Sequence, residues 1–231
     1  MDTLASGTQV LDRAVAVLDA VAAQGPCSLA DLVDTTALPR PTAHRLAVAL
    51  EHHGLLARDA DGRFVLGGRL VGWGALANRR ITDAARPVLA ALATETGESA
   101  QLFVREGDKR VCVAVFERPS GLRDTVPLGA VMPLTRGSGG KVLLAWADDA
   151  DAFDVAARTL ATVRRRGWAE SVGEREAGVA SVSAPVRAPD GIVVAAISVS
   201  GPIERLGQNP GRRLARPVTE AAERLGSVIA K

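Results

Sequence analysis

Apolar residues recur at helical spacing near both ends of the first fifty residues and predict a helix at each place. The first apolar face ends at Gln24-Gly25-Pro26 and consists of Val10, Leu11, Ala14, Val17, Leu18 and Val21. The second has the i, i+3, i+4, i+7 spacing of a helix and consists of Ala43, Leu46, Ala47 and Leu50. Each predicted helix therefore has one side for a core and another side for solvent or a partner.

The segment 27–53 contains the signals for two short helices joined by a tight turn. Ser28 is followed three residues later by Asp31, a capping-box pattern that begins a helix. The weak helix formers and the proline of Thr35–Pro39 end that helix. Pro41 suits the first turn of the next helix, because its missing N–H would have no partner there.

A β-hairpin is predicted directly after these two helices. Gly54 closes the second helix, and the strands Leu55–Arg58 and Arg63–Leu66 flank a turn at Asp61-Gly62. By itself the helix pair would be interpreted as an ordinary helical hairpin. A helix-turn-helix followed at once by a two-stranded wing favours DNA binding instead.

The distribution of charge supports this interpretation more than the net charge of +2 does. Residues 40–80 hold seven arginines and three acids, whereas residues 1–39 hold one arginine and five aspartates. The basic residues thus begin with the second helix of the pair, as expected for a surface that contacts phosphates. The predicted DNA-binding residues are Ser28, Arg40, Pro41, Thr42, His44 and Arg45, together with Arg58 and Arg63 of the wing.

The three histidines lie close together in sequence and raise the question of a metal site. They are His44, His52 and His53. At about 100° per residue, His44 and His53 point to opposite sides of a helix, and no cysteine lies at ligand spacing. We therefore predict no metal site and interpret His44 as a contact to the DNA groove.

Strands and helices alternate from residue 67 onward. The predicted helical segments are a linker at Gly67–Asn78, then Thr82–Thr96, a loop-to-helix segment at Met132–Trp146, Phe153–Val163 and Leu214–Ala230. The predicted strands are 101–106, 110–117, Gly178–Arg187 and Ile192–Ser200. The arginine triplet Arg164–Arg166 is interpreted as a solvated strand edge rather than a nucleic-acid site. This order predicts an α+β protein.

Enzymatic activity has little support in the second half of the chain. Residues 81–231 contain no histidine, which excludes Ser-His and Cys-His nucleophiles and histidine-ligated metals there. Cys27 and Cys112 are too few for a disulfide scaffold and are expected to be buried thiols. Nothing marks the acidic pair Glu174 and Glu176 as catalytic. We predict a protein that is not an enzyme and needs no cofactor.

Serines lie on one face of each of the last two predicted strands. They are Ser181 and Ser183 on one strand and Ser198 and Ser200 on the other. A turn centred between residues 189 and 190 would pair Ser181 with Ser198 and Val179 with Ser200. Hydroxyls on such a face orient a small polar ligand in a pocket, or they bond one another across the strands. The residues alone favour neither interpretation.

A glycine-rich turn, Gly137-Ser138-Gly139-Gly140, precedes the helix predicted within residues 132–146. Free N–H groups and the positive end of a helix dipole would suit a carboxylate. A simple tight turn is the alternative.

Several segments together resemble the IclR family of bacterial transcription regulators. They are LPRPTAHRL, the predicted wing, TGESAQL, VPLGAVMPL, GSGGKVLLAW, RRRGW, GVASVSAPV and ISVSGP, in this order over nearly the whole chain. The resemblance implies a winged helix-turn-helix in residues 1–66, a linker helix in 67–80 and a GAF-like α/β effector-binding domain in 81–231. It also implies a homodimer, often a dimer of dimers, that binds double-stranded operator DNA.

The segments SGLRDTVPLG and VRRRGWAESVGEREAGVASVSAPV are especially similar to the actinobacterial NdgR/LtbR subgroup. That similarity implies control of leucine and other amino-acid biosynthesis genes. By motif position, the family's effector contacts fall on Met132, Ser138, Gly139, Ser171, Val179, Ser181, Ser198 and Ser200. Family members that bind small oxo-acids carry aspartate in place of Ser171, and a cysteine can replace Ser181. The implied effector is a small molecule, either an amino acid or an organic acid.

Length and composition are those of a soluble globular protein with one or two domains: 231 residues, 47% hydrophobic and 23% charged. The N-terminal segment has no cationic lead before a long apolar core, so no signal peptide is predicted. No apolar run approaches the roughly 18 residues of a membrane span. We expect a cytoplasmic protein with no membrane partner.

The resulting hypothesis is a transcription regulator that places two recognition helices of a dimer in successive major grooves. A metabolite in the C-terminal domain would shift the placement of these helices through its differential affinity for two arrangements. One alternative is a constitutive DNA-binding protein with an empty C-terminal domain. The other is an enzyme that uses the pocket, against which the missing histidines argue.

Overall fold

The computed structural model describes residues 8–76, 79–118 and 120–229, without the side chains of residues 75, 76, 79 and 80. The chain divides into two compact units, Met1–Ala77 and Asn78–Lys231. The start of the N-terminal segment, the end of the predicted linker and the side chains of the two arginines at 79 and 80 lie outside the described residues. Among the helices that are described, none is both long enough and apolar enough to cross a membrane.

The first unit has the order of elements expected for a winged helix-turn-helix. Its elements are α1 (Gln9–Gln24), α2 (Leu29–Thr36), α3 (Arg40–His52), β1 (Leu56–Arg58), β2 (Phe64–Leu66) and α4 (Gly68–Leu76). The strands β1 and β2 are antiparallel, with Ala57 opposite Val65. A backbone bridge joins Cys27 to Phe64 and so ties the wing to the chain just before α2.

The two helices of the motif begin and end where the sequence predicts. Ser28 accepts a hydrogen bond from the Asp31 backbone N–H at 3.2 Å and returns one to the Asp31 carboxylate at 2.8 Å. These bonds from Ser28 lower the pKa of Asp31. The helix α2 stops before Ala37, whose φ of 53° is left-handed, and α3 then starts at Arg40.

The core of this unit is small and covers only half of α1. Its buried residues are Val17, Ala20, Val21, Cys27, Leu32, Ala47, Leu50, Leu56 and Phe64. The prediction that Val10 and Leu11 share this core is wrong, because they are 64% and 55% exposed. The burial of α1 begins at Val17, so the elements packed on α1 cover its second half alone.

The second unit is a six-stranded antiparallel sheet with helices on both faces. Its elements are α5 (Arg79–Thr96), β3 (Ser99–Glu106), β4 (Lys109–Phe116), β5 (Val131–Pro133), α6 (Ser138–Ala145), α7 (Ala157–Arg166), β6 (Ala169–Val172), β7 (Val179–Arg187), β8 (Val193–Pro202), α8 (Ile203–Leu206) and α9 (Gly211–Ile229). The strand order is β5-β4-β3-β8-β7-β6. Buried residues of α5 and α9 pack on one face and those of α6 and α7 on the other. The predicted α+β class is confirmed.

The arginine triplet does not lie at a strand edge, so that prediction is wrong. Arg164–Arg166 form the last turn of α7, where cations face the carbonyl end of the helix dipole. Gly167, with φ of 79°, then ends the helix. The helix predicted at 153–163 spans Ala157–Arg166, because a short 3-10 turn at Ala150–Ala152 precedes it.

The predicted pairing of the two serine strands is wrong by two residues. Ser181 lies opposite Ser200 and Ser183 opposite Ser198, whereas the prediction placed Ser181 opposite Ser198. The turn, in which Ala188 donates to the Ile192 carbonyl, shifts the register by one residue, and an irregularity between Val186 and Arg187 shifts it by another. Because side chains alternate with a period of two, a two-residue shift leaves every serine on its predicted face.

A buried carboxylate joins the start of β3 to α8. Glu98 is 1% exposed and accepts two hydrogen bonds from the Arg205 guanidinium, each at 2.7 Å. Arg118 adds a weaker contact at 3.8 Å. A side chain on Gly201 would overlap this carboxylate, so the glycine permits the close approach of β8. A buried carboxylate needs such partners to offset its lost hydration.

We expect Glu98→Ala to lower the free energy of unfolding by about 2–3 kcal/mol, because two charge-assisted hydrogen bonds are lost. The matched control is Glu220→Ala, which removes an exposed i, i+4 pair with Arg216 on α9 and should have a much smaller effect, because solvent screens an exposed pair. Urea unfolding of both variants measures the difference. Equal losses would contradict a special role for the buried carboxylate.

Candidate DNA-binding and ligand-binding sites

The outward face of α3 presents cationic side chains without internal partners. Ala43, Ala47 and Leu50 of this helix are buried, which leaves Arg40, Pro41, His44 and Arg45 exposed. Within the described parts of the chain, neither Arg40 nor Arg45 has a hydrogen-bond or ion-pair partner. Free guanidinium groups on an exposed helix are available for phosphate oxygens and for guanine edges.

Two other predicted DNA-binding residues of this motif are less accessible to a partner. Thr42 is half-buried on α3. The hydroxyl of Ser28 is occupied by the Asp31 backbone N–H in the capping box of α2. The structure therefore gives Ser28 a definite role in starting the helix, and its contact with DNA stays a prediction.

The wing arginines are paired with neighbouring acids. Arg58 donates from Nε to both carboxylate oxygens of Glu51 at 3.1 Å, and its guanidinium lies 4.1 Å from the ring centroid of Phe64. Arg63 pairs with Asp59 at 3.1 Å and with Asp61 at 3.2 Å. A phosphate would have to displace these carboxylates, so the predicted phosphate contacts of the wing are weaker candidates than those of α3.

The histidines do not converge at the end of α3. The rings of His52 and His53 meet edge to face with centroids 5.2 Å apart. Across the described ranges, no three His, Cys, Asp or Glu side chains are placed to share a metal ion.

The second unit contains a small polar cavity between the sheet and the start of α6. The lining residues are Gln101, Phe103, Arg110, Asp124, Val126, Gly137, Ser138, Gly139, Ser171, Arg175, Val179, Ser181, Ser198 and Ser200. The structure thus brings together every predicted effector residue except Met132. Met132 adjoins the lining through Arg110, whose Nη2 lies 3.8 Å from its sulfur. The cavity volume of about 20 Å³ leaves room for about one water molecule.

The sheet register places the serines on the face that α6 covers. Ser171 of β6 pairs with Ser181 of β7, and Ser181 pairs with Ser200 of β8. On the other side of β8, Ser198 pairs with Gln101 of β3. Directly opposed residues point to the same face, so hydroxyls of three neighbouring strands converge.

In this arrangement the hydroxyls largely satisfy one another. Ser138 Oγ lies 2.7 Å from the hydroxyls of both Ser181 and Ser183, and Ser183 lies 2.5 Å from Ser198. Ser200 exchanges hydrogen bonds with the Gln101 amide at 2.9 and 3.2 Å. Cross-strand bonding between serines is therefore real, and the same hydroxyls also line a cavity. The two interpretations of the serines are compatible.

The N-terminus of α6 already holds a carboxylate of the chain. The backbone N–H of Gly137 donates to Glu174 at 3.2 Å, and the other oxygen of Glu174 pairs with Lys141. The turn therefore does hold a carboxylate at its first N–H, but the carboxylate is one of the chain's own. A side chain on Gly140 would overlap the Leu134 carbonyl, so this glycine is required for close packing of the turn.

A buried arginine in the lining was not predicted. Arg110 is 3% exposed and donates from Nη1 to the carbonyls of Pro133 and Arg136 at 3.0 and 2.5 Å. Burial, with repulsion from Arg175, lowers its pKa to about 10, and Glu174 partly offsets this. The sequence contained a signal, since Arg110 lies two residues before Cys112 on a strand and so shares its buried face.

An ion pair closes another side of the cavity. Arg175 donates to Asp124 Oδ1 at 2.5 Å, and the Asp124 side chain is 3% exposed. Within the ranges that the structure describes, the second oxygen of Asp124 and the Nε of Arg110 have no hydrogen-bond partner. No periodic pattern surrounds Asp124 in its loop, so this pair could not be predicted from local sequence.

A larger groove of about 430 Å³ lies elsewhere, between the β7–β8 turn and α9. Pro185, Ala222 and Gly226 are among its lining residues. None of its lining residues has a buried charged or polar side chain. Since ligand sites combine a cavity with a few converging polar groups, the serine-lined cavity is the better candidate.

These two units define a DNA-binding protein with a separate ligand-sensing domain. The family model for the IclR helix-turn-helix domain matches residues 10–60. The model for the C-terminal domain of bacterial IclR transcriptional regulators matches residues 73–159 and 154–227. The chain belongs to the IclR family of DNA-binding transcriptional regulators and carries the effector domain of that family.

Relatives and solved structures agree with this assignment. The glycerol operon regulatory protein of Streptomyces griseus is 31% identical over 224 residues, which cover 88% of this chain and 88% of that protein. An IclR homologue from Microbacterium hydrocarbonoxydans, solved with 4-hydroxybenzoate, has a TM-score of 0.79 at 25% identity over 95% of this chain and 98% of its own. The IclR of Thermotoga maritima shares the fold, with a TM-score of 0.75 at 24% identity over 96% and 99% of the two chains. These relatives are regulators rather than enzymes.

We expect neither cysteine to react in the folded protein. Burial raises the pKa of Cys112 to about 12 and also raises that of Cys27, so little thiolate forms at about pH 8. Labelling with Ellman's reagent should be slow in native protein and rapid in denaturant. A Cys27→Ser variant isolates Cys112, and rapid native labelling of that variant would contradict the burial of Cys112 on β4.

Proposed function

We propose that this regulator binds operator DNA through the outward face of α3 and that a small molecule in the serine-lined cavity controls this binding. The observation that carries the first part is that the exposed guanidinium groups of Arg40 and Arg45 have no partner among the described residues. Together with His44 they occupy the leading turns of the helix, which are the turns that enter the major groove in this motif. Operator binding by Arg58 and Arg63 of the wing is a further, weaker part of the proposal.

The ligand-binding part rests on the convergence of polar groups in the cavity. Seven of the eight predicted effector residues line it, and the eighth contacts its lining. The structural relative that was solved with 4-hydroxybenzoate supports a small organic ligand for this chain as well. A ligand regulates only if it binds one arrangement of the DNA-binding units more tightly than the other.

The regulated genes are proposed from sequence resemblance. The segments SGLRDTVPLG and VRRRGWAESVGEREAGVASVSAPV resemble the NdgR/LtbR subgroup. On that basis we propose control of leucine or other amino-acid biosynthesis genes. A promoter of an isopropylmalate dehydratase operon and the regulator's own promoter are the first operator probes to use.

Exposed apolar side chains in the DNA-binding unit support a homodimer. On α1 they are Val10, Leu11 and Val15, which are 64%, 55% and 43% exposed. On α4 they are Val71 and Trp73, which are 75% and 51% exposed. Apolar side chains exposed in groups indicate contact with another surface. A second copy of the chain is the partner that a palindromic operator requires.

The alternative functions predict different results. A constitutive DNA-binding protein would show no change in melting temperature or operator affinity with any small molecule. An enzyme would convert a candidate substrate, and the described cavity offers serines, a glutamine and ion-paired charges but no histidine or thiol. The geometry therefore favours binding over catalysis.

We expect Arg45→Ala to weaken operator binding by about 1–3 kcal/mol, as for an arginine that contacts a base edge. Arg216→Ala is the matched control, because this arginine belongs to the second unit and is paired with Glu220; its effect should stay below about threefold. Mobility shift over a salt series measures both. Equal binding to random DNA, or a larger loss for Arg216→Ala, would contradict recognition by α3.

We expect the double variant Leu11→Glu with Val71→Glu to be monomeric, because buried unpaired carboxylates disfavour an apolar interface. Leu122→Glu is the control, since Leu122 is also exposed, at 71%, but belongs to the second unit. Light scattering after gel filtration gives the mass of each. A double variant that keeps the wild-type mass would show that α1 and α4 do not form the dimer contact.

A further inference from the structure

Arg110 has hydrogen-bond donors that no oxygen or nitrogen atom of the described residues uses. Its Nη1 is saturated by the carbonyls of Pro133 and Arg136. Its Nε has no partner among the described residues, and its Nη2 has only the weak acceptor Met132 Sδ at 3.8 Å. These two nitrogens, Nε and Nη2, lie side by side along one edge of the guanidinium. That edge is a fork which matches the two oxygens of a carboxylate.

The positive charge at this edge has no anion bonded to it within the described residues. No carboxylate among the described residues lies within ion-pair distance of Arg110; the oxygens of Glu174 bond to Gly137 and Lys141 instead. A Cβ on Gly137 would lie 3.1 Å from Nη2, so the glycine leaves this edge open toward the start of α6. A buried cation without a directly bonded anion is costly until one joins it.

Asp124 has one carboxylate oxygen that accepts no hydrogen bond from the described residues. Its Oδ1 is paired with Arg175, and its buried Oδ2 is the oxygen without a donor. Because Arg175 already balances its charge, a neutral hydroxyl suits Oδ2 better than an ammonium group, which would lie beside a guanidinium. The cavity thus combines a vacant fork for a carboxylate with a vacant acceptor for a hydroxyl.

We infer that Arg110 and Asp124 determine the specificity of this cavity, and that its ligand is a small hydroxycarboxylate. The carboxylate binds the Nε/Nη2 edge of Arg110, and the hydroxyl donates to Asp124 Oδ2. The inference rests on the proposed function only in placing a ligand in this cavity. Since the closed cavity has about 20 Å³, binding expands it at the expense of bonds between serine hydroxyls, and the smallest hydroxy acids need the least expansion.

Calorimetric titration of the full chain with glycolate and L-lactate tests the inference. Acetate and propionate lack the hydroxyl, and glycine and L-alanine replace it with an ammonium group. We expect a hydroxy acid to bind at least about tenfold more tightly than its plain or amino counterpart, because each of these leaves a buried group unpaired or repelled.

Three variants assign the contacts. Arg110→Lys keeps the charge but loses the fork, and we expect at least about a tenfold loss of hydroxy-acid affinity. Asp124→Asn keeps an oxygen for Arg175 and should abolish the preference for L-lactate over propionate. Arg187→Lys is the control; Arg187 lies 4.4 Å over the Trp146 ring, outside the cavity lining, and its variant should bind as wild type does. Melting curves establish that each variant is folded.

The inference is overturned if no hydroxy acid binds at up to about 10 mM, if L-alanine binds more tightly than L-lactate, or if folded Arg110→Lys and Asp124→Asn both bind like the control. Operator affinity, measured in parallel, separates this result from the proposed function. Operator binding without acid binding overturns the inference alone. Acid binding without any change in operator affinity supports the inference and contradicts control of DNA binding by the cavity.

Discussion

The register of β8 between β3 and β7 is the constraint on which the second unit depends. It places Ser198 and Ser200 beside Gln101 on one side and beside the serines of β7 on the other. The same alternation places Ile197 and Val199 in the core under α5 and α9. A slip of one residue would bury the hydroxyls in that core and expose its aliphatic side chains to the cavity. Core stability and the polar cavity are therefore specified by the same hydrogen-bond ladder.

The buried cation beside that ladder explains why the surrounding turn is so restricted. Arg110 reaches two carbonyls in residues 133–136, and Gly137 and Gly140 leave space where its guanidinium passes. An arginine that is 3% exposed must be compensated by oriented dipoles, because water cannot hydrate it. The compensation is incomplete at Nε, and an incompletely satisfied polar group inside a domain is characteristic of a binding site rather than of a structural core.

Local patterns in the sequence predicted the helices, the wing and the serine face, because capping boxes and period-two alternation act within a few residues. The two-residue shift of β7 against β8 was not predictable, since one residue comes from the turn, in which Ala188 pairs with Ile192, and the other from the irregularity at Val186/Arg187. The pair formed by Arg175 and Asp124 joins residues 51 apart along the chain, and no local pattern records it. The pairing of Arg63 with Asp59 could have been predicted, because the two residues lie only four positions apart around the turn of the wing.

Glu174 gives the start of α6 a tethered competitor for anions. Glu174 lies on the short segment between Gly173 and Gly178, both of which have positive φ. Its carboxylate accepts the hydrogen bond of the Gly137 N–H. A group held by so short a segment is a tethered ligand, whose local concentration does not follow that of the solution. A dissolved anion has to compete with it for that N–H. The occupancy of the helix terminus is therefore set by the fold as well as by the solvent.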